Sequence, residues 1–448
     1  MVVNMRIKIV LKYLILIFGY FMLIIGLLLS LIILTGGNLL LALFNMFLPE
    51  LVGFFILLIG VILIVMIKLH DRKRHKYWLI PLFFGLIVII FFSLPIFGTP
   101  YSVYNTEAQL KSEFGSNYMD GISADMRSNF RITPFSLWAA INGYQAPECN
   151  VSIDHDFYAT RKSDKYYFDL YTPLQGTGPY PAIIVLHGGG WVTGDKSQLT
   201  LINKYLANQG YAIFDIQYGL SKISAMNLSI PFDISNLNLG SSKYNESIRI
   251  PEMVENIGNF THFLVSNKEK YNIDINNTFV LGRSAGAHLA GLVGLGYNST
   301  FNHLFNTSIK IRGVVLFYPP ANMTHMFEFI GNDRLIKQTA GSHEAFFEYL
   351  LNATPSSNKT VYEIYSPTHN IDSNSPPVLI IHGTHDKLVS YSMSVELQKE
   401  MHSFNRPCIL VSFPFHGHGL DSIFTGKGGQ ISTYYLERFF AFTLNNNV

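Results

Sequence analysis

The stretch TFVLGRSAGAHLAGLVGLG, Thr278–Gly296, contains the pattern that decides the fold. A short apolar run ends at Gly282, Ser284 follows two residues later, and a run of small and apolar residues typical of a buried helix begins at once. A strand that turns directly into a helix strains the backbone of the serine between them, and Gly282 and Gly286 leave the space that such a turn needs. The pattern predicts a serine hydroxyl presented at the carboxyl edge of a sheet.

Short apolar runs alternate with longer helical stretches from about Glu148 onward. The predicted strands are Tyr166–Thr172, Ala182–Leu186, Tyr211–Ile216, Thr278–Gly282, Ile311–Tyr318, Pro377–Gly383 and Cys408–Phe413. The predicted helices are Lys196–Gln209, Pro251–Lys270, Ser284–Gly296, Ser390–Ser403 and Gln430–Thr443. Several strands are uninterrupted apolar runs, as expected where a parallel sheet is covered on both faces. The alternation predicts an α/β fold in which helices flank a mostly parallel sheet.

A serine nucleophile needs a base, and two later segments supply candidates. Asp386 follows one predicted strand, and His416 and His418 follow the strand Cys408–Phe413. A loop histidine at this edge could take the serine proton, while the aspartate holds the imidazole in the correct tautomer. On spacing alone, either histidine could serve as the base.

The stretch PAIIVLHGGGWVTGDK, Pro181–Lys196, ends a predicted strand with a histidine and three consecutive glycines. Glycine weakens a strand, so this much bare backbone needs a reason. Side chains here would block a reacting carbonyl group, whereas the amides of Gly189 and Gly190, with that of Ala285 beside the candidate nucleophile, could surround its oxygen. We therefore expect these three amides to form an oxyanion hole.

The chain of 448 residues is 49% hydrophobic and only 14% charged, which is too apolar for an ordinary soluble protein. Uncharged apolar runs at Tyr13–Leu34, Leu51–Ile67 and Tyr77–Phe97 explain the excess, because roughly 17–25 such residues cross a bilayer core. The first run is too long for a cleaved secretory signal and has no small-residue cleavage site. The sequence predicts three transmembrane helices.

Basic residues are distributed unevenly around these spans. Three lie at positions 6–12 and five within Lys68–Lys76, whereas Thr35–Glu50 contains none. The positive-inside rule places both clusters in the cytoplasm, so three spans leave the residues after Phe97 outside the cell membrane. Residues 101–448 hold 24 Lys and Arg against 28 Asp and Glu, a mildly acidic balance that gives no reason to expect a nucleic-acid partner.

We predict three segments: a membrane anchor over residues 1–100, a juxtamembrane connector with short helices over 101–147, and a catalytic domain over 148–448. Two long polar inserts in the last segment, Leu220–Ile250 and Ala321–Tyr365, are expected to form pocket walls that set specificity. Cys149 and Cys408 are compatible with one disulfide, but we expect unpaired thiols.

Residues 148–445 resemble the α/β-hydrolase esterases of the BD-FAE and hormone-sensitive-lipase type, a group that includes carbohydrate acetyl esterases and prenylcysteine esterases. The motifs that carry the resemblance are HGGGWVTGDK, IFDIQY, KYNIDINNTFVLGRSAGAHLA, YSPTHNIDSNSPPVLIIHGTHDKLVSYSMS and HGHGLD. The resemblance implies a triad of Ser284, Asp386 and His418, in the chain order of that fold. HGLD is similar to the family's histidine segment and so favours His418, with His416 as the alternative. Arg283 stands where the lipase branch has an aspartate.

The leading hypothesis is a membrane-anchored serine esterase that acts on a small-molecule, glycan or lipid ester and needs no metal or cofactor. A serine peptidase or amidase on the same fold is the first alternative. The second is an inactive hydrolase domain used for surface binding. Transport through the spans is disfavoured, because the spans contain no acidic residue and Glu50 lies only at the outer edge of one.

Overall fold

The computed structural model of the chain describes residues 2–39, 41–70, 76–158, 165–221, 248–297, 299–333 and 342–446. The centre of the basic segment between the second and third predicted spans lies outside these residues. Most of the predicted insert Leu220–Ile250 and part of the insert Ala321–Tyr365 lie outside them as well.

The described residues contain a sheet of eight strands. They are β1 Asn150–Tyr158, β2 Lys165–Thr172, β3 Tyr180–Leu186, β4 Ala212–Ile216, β5 Ile273–Arg283, β6 Ile311–Phe317, β7 Val378–Gly383 and β8 Cys408–Phe413. The spatial order is β1-β2-β4-β3-β5-β6-β7-β8. β2 pairs antiparallel with both of its neighbours, and every pair from β4 to β8 is parallel. The predicted fold class is therefore confirmed.

The observed strands match the predicted ones closely, with two differences. β5 begins at Ile273, five residues before the predicted Thr278, because its first half pairs with the start of β3. β1 was not predicted from the sequence. Its residues NVSIDHDFY are mostly polar, since it is an edge strand with one neighbour and much of its surface faces solvent.

Helices cover both faces of the sheet. Those described after the third membrane helix are α4 Ala124–Ser128, α5 Leu137–Asn142, α6 Thr200–Asn208, α7 Ile250–Ser266, α8 Ala285–Gly296, α9 Met323–Gly331, α10 Ser342–Leu351, α11 Lys359–Ile364, α12 Tyr391–Ser403 and α13 Lys427–Asn445. α7 and α8 contribute Phe260 and Leu289 to the core on one face. α6 and α13 contribute Leu206 and Phe439 to the core on the other. Both cysteines are free thiols.

Three further helices precede the sheet and are long and apolar enough to cross a membrane: α1 Val2–Thr35, α2 Ala42–Leu69 and α3 Leu79–Phe114. Each of the three predicted spans lies within one of these helices, the third including the short turn Lys76–Trp78 before α3. Large apolar side chains are exposed along all three, as expected of helices that face lipid.

α3 continues well past the predicted domain boundary at residue 100. Its second half packs along β8, where the Gln109 side chain bonds both the amide and the carbonyl of Leu410, at 2.9 and 3.0 Å. The predicted connector 101–147 thus begins inside α3 and continues with the short helices α4 and α5. One continuous helix joins the third apolar span to the sheet. The division into three segments stays a prediction.

Candidate active site

Ser284 lies in the tight turn between β5 and α8, as the sequence predicts. Its φ is 51°, in the left-handed region that is strained for a residue with a side chain. The turn is held by a hydrogen bond from the Ser284 amide to the carbonyl of Phe317, at 2.9 Å. A Cβ at Gly282 would overlap the carbonyl of Gly286, and a Cβ at Gly286 would overlap the carbonyl of Leu186. The two glycines are therefore required by close backbone packing.

The structure brings His418 and Asp386 to this serine. Nε2 of His418 is 2.9 Å from Ser284 Oγ, and Nδ1 is 2.7 Å from Asp386 Oδ2. An ionised carboxylate only accepts hydrogen bonds, so Nδ1 carries the proton and Nε2 is left as the acceptor for the serine hydroxyl. This is the tautomer that a general base needs.

Asp386 accepts four hydrogen bonds. The amides of Leu388 and Val389 donate to Oδ1 at 2.8 and 2.9 Å, and two imidazoles donate to Oδ2. The second imidazole is that of His382, which the sequence analysis did not single out; it is buried in β7, four residues before the aspartate. Burial alone would raise the pKa of Asp386, but His418 and His382 together hold it well below its ordinary value. The carboxylate therefore stays ionised beside His418.

His416, the alternative base, lies elsewhere. Its Nδ1 is 2.8 Å from the carbonyl of Pro414, and its Nε2 is 3.2 Å from a carboxylate oxygen of Glu50 in α2. Of the two histidines in HGHGLD, the structure brings only His418 to Ser284.

The HGGGW loop packs directly against the serine. A Cβ added to Gly188 would lie 3.5 Å from the Cβ of Ser284, so the two backbones are close neighbours. Gly189 and Gly190 have φ values of 130° and 59°, and a Cβ at Gly189 would overlap the carbonyl of Thr193. Within the described residues, neither of their amides donates to a backbone or side-chain acceptor. These amides remain available to a ligand.

Ala285 is the first residue of α8, so its amide is one of the donors that a helix leaves free at its N-terminus. With the amides of Gly189 and Gly190, it completes the three donors predicted for the oxyanion hole, and that role stays a prediction. The helix dipole adds a partial positive charge at the same point. The arrangement suits a developing oxyanion.

A buried network that was not predicted joins the serine turn to the histidine loop. Arg283 forms an ion pair at 2.8 Å with Asp421, three residues after the candidate base, and donates to the hydroxyl of Tyr318 at 2.7 Å. The ring of Tyr318 packs against the imidazole of His418, with centroids 4.3 Å apart. Arg283 is the residue that departs from the lipase pattern, and this network gives that departure a structural reason.

The tryptophan of the glycine-rich loop contacts a further buried histidine, His288. The indole of Trp191 donates to Nδ1 of His288 at 3.3 Å, and Nε2 of His288 lies 2.8 Å from the carbonyl of Tyr365. Because an indole N–H can only donate, the His288 proton must be on Nε2. Burial lowers the pKa of His288 to about 4, so the ring is neutral at physiological pH.

The described contacts also include a carboxylate from α2, the second of the long apolar helices. Glu50 accepts hydrogen bonds from the amides of Lys427 and Gly428, the first residues of α13. It thereby caps a helix whose own N-cap residue, Gly426, has no side chain. This contact explains why α13 begins three residues before the predicted Gln430 despite two glycines in its first turn. The isolated acidic residue at a span edge was the one sequence signal for it.

Comparison with known proteins identifies the family to which this chain belongs. The BD-FAE family model matches residues 168–239 and 232–401. The chain is similar to esterase LipC of Mycobacterium tuberculosis, with 24% identity over 262 residues that make up 56% of each chain. It is also similar to endo-1,4-beta-xylanase B of Butyrivibrio fibrisolvens, with 23% identity over 56% of this chain and 35% of that protein. The chain thus spans about half the length, or less, of these curated relatives.

Among solved structures, an inhibited esterase B of Lactobacillus rhamnosis superposes with a TM-score of 0.51 and 17% identity. The match covers 74% of this chain and 96% of that one, and it supports the α/β-hydrolase fold. The family model spans more than half of the chain and includes β2 to α12 with the glycine-rich loop, the serine turn and Asp386. The chain belongs to the BD-FAE family.

Proposed function

We propose that this protein is a membrane-anchored serine carboxylesterase. One observation carries the proposal: Ser284 Oγ, His418 and Asp386 form a continuous hydrogen-bonded chain with distances of 2.9 and 2.7 Å. A serine hydroxyl is a weak nucleophile by itself, and this arrangement activates it. The esterase name of the relative LipC agrees with the proposed reaction.

In the proposed reaction, Ser284 Oγ attacks the ester carbonyl carbon while Nε2 of His418 takes the hydroxyl proton. Asp386 stabilises the imidazolium that forms. The negative charge that develops on the carbonyl oxygen is bound by the amides of Gly189, Gly190 and Ala285; one such donor contributes about 3 kcal/mol. Collapse of the intermediate expels the alcohol, which receives its proton from His418 and leaves an acyl group on the serine.

Hydrolysis of the acyl-enzyme repeats these steps with water. His418 removes a proton from the water molecule as its oxygen attacks the acyl carbon, and the same proton returns to Ser284 Oγ as the acid is released. Only side chains and backbone amides of this chain take part. The net reaction adds one water to the ester and yields an acid and an alcohol.

We propose further that α1 to α3 cross the cell membrane with the N-terminus in the cytoplasm and the catalytic domain, residues 148–448, outside. Leu34 and Asn45, at the end of α1 and the start of α2, contact the loop after β7. The basic residues Lys12 and Lys68 lie toward the other ends of the same helices. The positive-inside rule therefore places the catalytic domain on the outer side. External protease should remove a C-terminal tag from intact cells and leave an N-terminal tag protected.

The enzymatic proposal is tested with p-nitrophenyl esters from acetyl to palmitoyl and the detergent-solubilised full-length protein. Ser284→Ala should lower kcat by about 10⁴-fold or more. Ser403→Ala, at an exposed serine of α12, is the control and should retain activity. Undiminished hydrolysis by Ser284→Ala would contradict the mechanism. Absence of ester hydrolysis together with cleavage of aminoacyl amides would favour the peptidase or amidase alternative, and inactivity on both classes would favour a binding-only domain.

A further inference from the structure

The carboxyl edge of the sheet, where the candidate catalytic residues lie, rests on the ends of the membrane helices. In the loop after β7, Nε2 of His385 is 3.1 Å from the carbonyl of Leu34 in α1. The loop after β8 carries His418, and its Phe415 packs into the apolar cluster of the three membrane helices. Three more close pairs join this loop to the same helices: Pro414 with Gly98, Gly417 with Asn45 and Gly419 with Met46.

The direction of α3 and α13 supports the same orientation. Along α3, Gly98 lies beside Pro414 at the carboxyl end of β8, and Gln109 bonds Leu410 near the middle of that strand. α3 therefore leaves the membrane at the carboxyl edge and runs toward the amino edge. The first residue of α13 bonds Glu50 of α2, and the C-terminal end of α13 accepts a hydrogen bond from Arg312 at the start of β6. α13 therefore also runs from the carboxyl edge of the sheet toward the amino edge. The catalytic edge faces the membrane.

An exposed apolar patch lies close to this edge. It consists of Ile132, Leu137, Trp138 and Ile141, whose exposed fractions are 96%, 65%, 76% and 61%. The patch is tied to α13 by hydrogen bonds between Ser136 and the Gln430 side chain, at 2.8 and 3.0 Å. Gln430 is one turn from the amides that Glu50 caps. The patch is therefore linked through the start of α13 to Glu50 at the edge of the second span, and tryptophan and apolar side chains favour the lipid interface.

We infer that the active site draws its substrate from the outer leaflet of its own membrane: an ester carried on a lipid, with the scissile carbonyl near the headgroup level. The inference rests on the proposed esterase function and on the proposed membrane insertion. His418 lies in the loop that touches the helix ends, so an ester held in the leaflet reaches the site by lateral diffusion. The apolar patch contacts the same leaflet beside the site. The reaction remains the addition of one water across the ester bond.

The inference is tested by reconstituting the full-length protein into phosphatidylcholine vesicles. Two substrates share one leaving group: p-nitrophenyl butyrate, which dissolves in water, and p-nitrophenyl palmitate, which partitions into the bilayer. Turnover of the palmitate should follow its mole fraction in the protein's own vesicles and should not change when these vesicles are diluted tenfold. The palmitate should be cleaved much more slowly when it is supplied in separate, protein-free vesicles.

Ser284-dependent cleavage of the butyrate with no cleavage of the palmitate in the same bilayer would overturn the inference and leave the esterase assignment intact, which would favour a soluble glycan or small-molecule ester. Inactivity on both esters would remove the esterase assignment and the inference with it. Equal palmitate rates from own and separate vesicles would also overturn it, because the substrate would then arrive through solution.

Two leucine variants make a matched pair for the apolar patch. Leu137→Asp places a charge in the patch, while Leu174→Asp changes a similarly exposed leucine after β2, at the opposite edge of the sheet. The ratio of palmitate to butyrate turnover should fall roughly threefold to tenfold for Leu137→Asp, because a charge disfavours the leaflet. The ratio should stay unchanged for Leu174→Asp. An equal ratio in the two variants would overturn the leaflet contact.

Discussion

Ser284 is held by residues near it in the chain or in the adjacent strands, whereas the loop of His418 is held by residues as distant as α2. The serine turn is set by Gly282, which packs against the carbonyl of Gly286 in α8, and by Gly286, which packs against the carbonyl of Leu186 in β3. The histidine loop instead contacts α2 and α3, and its His416 lies 3.2 Å from a carboxylate oxygen of Glu50. The two halves of one candidate site therefore depend on different parts of the molecule.

The difference separates what local sequence can specify from what only the assembled protein can specify. A strand, a strained serine and a helix form one continuous segment, so their geometry follows from a few residue types. A loop at the end of β8 has many possible conformations, and selecting one requires partners from elsewhere in the chain. Here those partners include the long apolar helices α2 and α3 and the Arg283–Asp421 ion pair.

The largest expected effect follows from a substitution of Asp386, the residue that orients His418 toward Ser284. Asp386→Asn keeps the shape of the side chain but removes the carboxylate that holds His418 in the required tautomer. By analogy with other Ser-His-Asp enzymes, kcat should fall by about 10⁴-fold. Steady-state kinetics on p-nitrophenyl butyrate measure the loss, and circular dichroism verifies that the variant is folded. A decrease of less than tenfold in a folded variant would mean that Asp386 does not orient the base.

Stability and activity should both fall when the packing around the Ser284 turn is disturbed. In Gly286→Ala the new methyl group would overlap the carbonyls of Leu186 and His187. Overpacking of this kind costs about 1–3 kcal/mol of stability, and a shift of about 1 Å in the serine would cost about 10²-fold in kcat. Gly60→Ala is the control, because nothing lies within 4 Å of the added methyl group on α2. Similar thermal stability and activity in both variants would contradict a packing requirement at Gly286.

The same contrast explains which features could be predicted from the sequence. Ser284, Asp386 and His418 each follow a strand that the apolar pattern reveals, and parallel strands bring their carboxyl ends to one edge. β1 could not be predicted, because its edge position leaves it polar. His416 stayed an alternative to His418, because chain spacing does not fix the direction of a loop side chain. Contacts between residues far apart in the chain leave no pattern that identifies the partner: Glu50 stands out as an isolated acidic residue, but nothing in the sequence points from it to α13.

Activity should also fall when the contact between α2 and the loop of His418 is altered at Glu50. Glu50→Gln keeps the side-chain volume but removes the charge that caps α13 and faces His416. We expect kcat to fall roughly tenfold with little change in KM, because Glu50 acts through the loop and makes no contact with substrate. Steady-state kinetics on p-nitrophenyl butyrate separate the two constants.

Glu113→Gln is the matched control for Glu50. Glu113 lies in α3, outside the apolar span, and its carboxylate is 3.0 Å from His402 of α12, so it also joins a membrane-segment helix to the catalytic domain through a histidine. That contact is remote from the loop of His418, and kcat should be retained. Equal losses in the two variants would mean that Glu50 contributes general stability and does not position the base.

The smallest expected effect concerns the dependence of stability on pH. Burial lowers the pKa of His288 to about 4, below the value of about 6.5 for an exposed histidine. Between these values the unfolded chain binds one proton more than the folded chain at this site, so stability is fully present above pH 6.5 and is lost as the pH falls toward 4. The full shift corresponds to about 3 kcal/mol.

In His288→Gln the free energy of unfolding should fall less steeply with decreasing pH, because glutamine does not ionise. The number of protons taken up on unfolding should be lower by about one. Its amide can still accept from the indole of Trp191 and donate to the carbonyl of Tyr365. Thermal unfolding of the detergent-solubilised protein between pH 4 and 7 measures the slope. His262→Gln, at an exposed histidine of α7, is the control and should leave the slope unaltered. An unchanged slope in His288→Gln would mean that the acid sensitivity arises at other groups and that the packing around the glycine-rich loop tolerates a charged imidazole.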